Sequence, residues 1–116
     1  MATARDRLAL ARTALGAGFK AGATSAAYYA MLYAARAALS EEDQNAKTHS
    51  GVWALFRQTY VETGRFDERL FSRAHATQRL REAADYDALM VEHEEAQRVV
   101  ELADHFVAAT AAMIGA

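Results

Sequence analysis

The stretch GATSAAYYAMLYAARAAL, residues 22–39, decides the fold, and Arg36 is its only charge. Tyr28, Leu32, Ala35 and Leu39 share one helical stripe, Tyr29, Tyr33 and Arg36 a second, and alanines fill most of the remaining circumference. A helix apolar nearly all round belongs at the centre of its bundle. The uncharged run 21–35 is shorter than the roughly 20 residues that span a bilayer, and Arg36 follows it directly, so a buried helix is expected and no membrane association.

Outward from this helix the apolar residues keep three- and four-residue steps and never alternate, which excludes strands. Upstream, residues 4–15 carry Ala4, Leu8, Ala11 and Leu15 on one face and stop at Gly16-Ala17-Gly18. Arg5, Arg7 and Arg12 interrupt this segment before a leader-type apolar run develops, so no export is expected. Downstream, the polar run 40–47 is a connector and Thr48 caps a third helix that buries Val52, Leu55, Phe56 and Thr59 and ends at Gly64. Asp67 caps a fourth helix with the stripe Leu70, Ala74, Thr77 and Arg81. A fifth, about residues 92–114, buries Val99, Leu102, Ala103, Phe106 and Met113. The expectation is an all-α fold, a five-helix antiparallel bundle with a four-helix-bundle-like core.

At 116 residues, 53% hydrophobic and 24% charged, the chain suits one domain, residues 1–116, with no repeat or linker to divide it. Cysteine and proline are absent, which removes disulfide frameworks, thiolate metal sites and cysteine nucleophiles and makes a reducing cytoplasm the expected location. A formal charge of −2 excludes an overall field for nucleic acid. Arg65, Arg69 and Arg73, at four-residue steps with Lys47, Arg57 and Arg79 nearby, could still form a local phosphate- or partner-binding face, or only a solvated one.

Arg81 breaks the pattern, because it occupies a position where the fourth helix should present an apolar residue. Burying its permanent charge requires a partner, and Asp85, one turn later, is the nearest. The pair is either a structural lock or part of a site. His49, just inside a helix start, could approach a phosphate or simply organise its loop with Thr48. His75, His93 and His105 lack metal-ligand spacing, so neither metal nor cofactor is expected.

Three blocks, AYYAMLYAAR at 27–36, KTHSGV at 47–52 with Phe56, and REAADY at 81–86, resemble in order and spacing the signature blocks of the HEPN domain family (higher eukaryotes and prokaryotes nucleotide-binding). The resemblance covers nearly the whole chain. It implies a compact helical bundle, commonly a homodimer, found beside a small nucleotidyltransferase or in toxin-antitoxin and defence modules. Members that cut RNA place a His after an Arg with four to six residues between them, where the pair serves metal-independent cleavage by a ribose 2′-hydroxyl. Two literal matches occur here, Arg69 with His75 and Arg98 with His105, and chance supplies about one in a chain of this composition. At the block that resembles the motif, Asp85 and Tyr86 stand where an imidazole is required.

The resemblance implies an interaction module whose partners are a nucleotidyltransferase and a second copy of itself. Alanine faces at Ala26, Ala30, Ala34 and Ala38, or across 108–112, would admit that copy. The alternative is a ribonuclease toxin using Arg81 with a histidine from another loop or protomer, and RNA as its partner. A weaker alternative is a nucleotide site holding a phosphate near Lys47, His49 and Arg81. Candidate site residues are therefore Arg81, Asp85 and Tyr86, with Lys47 and His49. Some family pairs also make such a tyrosine the acceptor of an AMP.

Overall fold

The computed structural model describes residues 1–86 and 91–116, and every element within them is helical. The order is α1 (Ala2–Gly16), α2 (Lys20–Glu41), α3 (His49–Phe56) running into a π-helical turn (Arg57–Val61), α4 (Glu68–Tyr86) and α5 (His93–Ile114). The Cα radius of gyration, 13.4 Å, is what a compact chain of this length should have, about 13 Å.

Alanine makes α2 central. Ala23, Ala27, Ala30, Ala34, Ala35 and Ala38 are all fully buried, so the neighbouring helices approach its backbone closely. This corrects one expectation: Ala26, Ala30, Ala34 and Ala38 are consumed inside the protomer and offer nothing to a second copy.

Contacts fix the helix directions. Arg5 reaches the Ala116 carbonyl and Arg12 pairs with Asp104, so α1 and α5 are antiparallel. Trp53 of α3 and Arg57 of the π turn that follows it meet His75 and Glu68 of α4, which makes that pair antiparallel too. Tyr28 meets His49 while Ala38 accepts from Tyr60, so α3 runs in the same sense as α2, and the 42–48 connector returns along the bundle between them.

The caps stand where the sequence places them. Gly51 N–H donates to Thr48 Oγ1 at 3.0 Å, and Leu70 N–H to Asp67 Oδ2 at 2.8 Å. The π turn is closed by Glu62 N–H to the Arg57 carbonyl at 2.9 Å. The core beneath α3 is wider than its expected stripe: Trp53 and Tyr60 are buried beside Val52 and Phe56, whereas Leu55 and Thr59 sit half-buried at its edge. Trp53, Phe56, Phe66, Phe71 and Phe106 form one aromatic cluster, each ring contributing about 1.5–3 kcal/mol by burial. Leu15, Leu70 and Met113, expected inside, are also half-buried.

Candidate functional site

Consecutive tyrosines on α2 lie about 100° apart around the helix, so Tyr28 points fully into the core while Tyr29 stays half-buried at its margin. Arg81, in the last two turns of α4, lays its guanidinium over both rings, 5.3 Å from the Tyr28 centroid and 5.7 Å from that of Tyr29. A planar, weakly hydrated cation suits such faces. Its side chain is 16% exposed; Nη1 donates to Asp85 Oδ2 at 2.9 Å, and Glu82 Oε1 lies 3.9 Å from Nη2. The buried Nε has no hydrogen-bond partner among the described residues. Burial opposes the Arg81 charge, but the hydrogen bond to Asp85 and the adjoining tyrosines outweigh it and hold the pKa above its ordinary value.

His49 is the first residue of α3. Gly51 permits its tight start, since a Cβ there would lie 3.0 Å from both Ala46 Cβ and Thr48 Oγ1. The imidazole packs on both tyrosines, with centroids 5.8 Å from Tyr28 and 5.7 Å from Tyr29, and its Nδ1 is 3.3 Å from the Tyr28 hydroxyl. The same hydroxyl receives the Trp53 Nε1–H at 3.1 Å. Burial, then Arg81 and Arg36, push the His49 pKa below the usual histidine value, with Glu82 opposing. Burial raises the Tyr28 phenol, and Trp53 and Arg81 offset part of that rise. The connector is held by Arg36, whose Nη1 donates to the Ala46 carbonyl at 2.8 Å.

Of the sequence candidates, the fold thus brings Arg81, Asp85 and His49 to one place. Lys47 is exposed, and no hydrogen bond or ion pair joins it to Arg81 or His49. Tyr86 is 96% exposed. Arg69 and His75 are six residues apart on one helix, hence on different faces, and Arg98 and His105 are separated by about 10 Å of helical rise. His75 stacks on Trp53 at 5.8 Å and lines a trough of ≈ 470 Å³ with Ser72, Arg79 and Glu82. Of the arginines read as a basic face, Arg57 pairs with Glu68 and Arg65 with Glu42.

Sequence reasoning missed the tyrosines and Trp53 as the partners of Arg81 and His49. Only the presence of the tyrosines inside the first signature block, and of Trp53 directly after the second, hinted at a shared site. Chemically, the cluster holds a permanent cation largely answered by carboxylates, a neutral imidazole and two phenol faces. Among the described residues no group of three His, Asp or Glu side chains is placed to hold a metal ion, and no helix is long and apolar enough to cross a membrane.

Comparison with known proteins places relatives beside these features. “Putative toxin MJ0142” of Methanocaldococcus jannaschii is 37% identical over 76 residues, covering 65% of this chain and 52% of its own. “UPF0332 protein glr0978” of Gloeobacter violaceus is 39% identical over 62 residues, covering 53% of this chain and 49% of its own. A second archaeal protein, “Putative toxin MJ0605”, is 33% identical over 88 residues, covering 73% of this chain and 63% of its own. The chain therefore spans about half to under two thirds of the length of the curated relatives it matches. The sequence profile of the HEPN domain matches residues 1–113, which takes in α1 to α4 and all but the last residue of α5, so the chain belongs to the HEPN domain family.

Proposed function

We propose that this chain is the HEPN module of a toxin-antitoxin-type pair, that its partner is a small nucleotidyltransferase, and that a second copy completes the assembly. The state of the third signature block carries the reading: it presents an exposed phenol to a protein partner and an occupied arginine to RNA. Tyr86 is 96% exposed, whereas Arg81 is engaged by Asp85 at 2.9 Å with Glu82 beside it. Two carboxylates at the guanidinium repel a phosphodiester that would compete for it. Two relatives with toxin in their names support the setting.

The chemistry available to such a partner is nucleotidyl transfer. The Tyr86 oxygen attacks the α-phosphorus of ATP, its proton passes to a base of the partner, and pyrophosphate leaves. Co-expression with a nucleotidyltransferase encoded beside the gene, followed by affinity purification and intact mass, tests it. Co-purification and an adenylate mass gain that Tyr86→Phe abolishes are expected. A chain that neither co-purifies nor gains mass, yet cleaves single-stranded RNA in EDTA, overturns it.

A ribonuclease is the second reading, and one observation favours it. His49 and Arg81 pack on the same two tyrosines, so an imidazole and a guanidinium converge within one chain. Cleavage in EDTA that is lost in both His49→Ala and Arg81→Ala would establish this pair. A phosphate shared by Lys47, His49 and Arg81 has less support, because Lys47 contacts neither.

A further inference from the structure

Among the described residues the Tyr28 hydroxyl has two hydrogen-bonding neighbours, and it carries one proton. An indole N–H only donates, so the 3.1 Å bond from Trp53 Nε1 occupies the Tyr28 oxygen as an acceptor. The Tyr28 proton must then go to His49 Nδ1 at 3.3 Å, and an imidazole accepting there is neutral with its own proton on Nε2. Tyr28 is fully buried, which leaves bulk water no access to its ring or hydroxyl.

We propose that Trp53, Tyr28 and His49 form a protonation latch: neutral His49 fastens the first turn of α3 to α2, and a proton on Nδ1 releases it. Protonation turns the acceptor into a second donor. The Tyr28 hydroxyl then faces two N–H groups, and its own proton is stranded in the core. The new charge meets Arg36 from α2 and Arg81 from α4, and stands at a helix N-terminus, where a cation is disfavoured. Glu82 of α4 is the carboxylate acting the other way. Tyr29 of α2 packs edge-on at 5.7 Å, and Lys47, two residues before His49, is exposed. Burial and these cations keep the latch closed at neutral pH and open it only in acid. His49 packs on the same two tyrosine rings on which Arg81 lies, so acidity is coupled to the third signature block. The latch does not depend on the partner proposed above.

Nitrogen-detected imidazole NMR and amide exchange on the full chain test it. At about pH 8 His49 should show the Nε2–H tautomer, and on acidification its titration should have a midpoint below the ordinary value of about 6.5. The Trp53 indole N–H shift and the exchange rates of residues 50–53 should follow that titration. His49→Gln, which keeps a neutral acceptor, should flatten both responses, and Tyr28→Phe should uncouple the indole from His49 in a chain that remains folded. His75 also touches Trp53, so His75→Gln must leave the coupling intact. An Nδ1–H tautomer, an indole signal indifferent to His49, residues 50–53 unchanged in acid, or coupling that follows His75 instead, would each overturn the latch.

Discussion

Arg81 is held by two aromatic faces as well as by a carboxylate. The sequence makes the Asp85 partner legible through its four-residue spacing, and the structure gives that bond 2.9 Å. Asp85 is nevertheless 49% exposed, so removing the arginine leaves a hydrated carboxylate and not a stranded one. The cost of losing Arg81 lies in the faces of Tyr28 and Tyr29, which no local spacing reveals because they are more than 50 residues away in the chain. Arg81→Ala is expected to destabilise the fold by about 1–3 kcal/mol in urea denaturation, with cation-π contact as the main loss. Arg81→Lys should recover only part, since an ammonium cannot lie flat on both rings. Arg69→Ala, on the exposed side of α4, should shift stability by no more than about 0.5 kcal/mol. Equal small effects for both alanine variants would remove the aromatic bracket as the holder of Arg81.

At the scale of the elements, α3 is the piece that assembles the cluster, and its start depends on two small features. Thr48→Ala removes the cap to Gly51 N–H and should cost about 1 kcal/mol. Gly51→Ala presses a Cβ against Ala46 and Thr48 at 3.0 Å and should cost roughly 1–3 kcal/mol, whereas Gly16→Ala, with nothing within 4 Å, should be close to neutral. Thermal melts that rank the two glycine variants equally would show that the connector yields freely. Helix starts were legible where Thr48 and Asp67 carry local signals, and each helix lies within a few residues of its expected span. Direction was not legible. Nothing in residues 40–47 states that the chain returns along α2 before α3 begins, yet that return is what sets His49 against Tyr28. Trp53, Tyr60 and Phe71 were missed as core for a related reason: a single narrow stripe cannot describe a helix packed on three sides.

For the whole molecule, two histidines decide how stability responds to acid. His49 is lowered by burial, then Arg81 and Arg36, and His75 by burial and then Arg57. A base whose folded pKa is depressed gives stability that is complete above its unfolded value, near 6.5, and is lost as pH falls through the folded one. Denaturation midpoints should therefore fall as the solution is acidified from that value, and the double variant His49→Gln/His75→Gln should fall less steeply. Assembly is the remaining whole-molecule property, and the structure narrows where it can occur. With the α2 alanines buried, Ala108 and Ala112 of the other alanine face remain open to a second copy, on the outer stripe of α5 with Glu101 and His105. Shallow side chains there let another helix approach closely, and a two-fold contact would set the same stripe against itself. Light scattering at micromolar concentration should give twice the 12.7 kDa protomer mass, and Ala108→Glu with Ala112→Glu should return it to the protomer. A dimer that survives both changes would move the contact to the other end of the α1–α2 hairpin, where Phe19 is 68% exposed. A protomer mass for the unaltered chain would remove the second copy, and any ribonuclease reading would then rest on His49 and Arg81 of one chain alone.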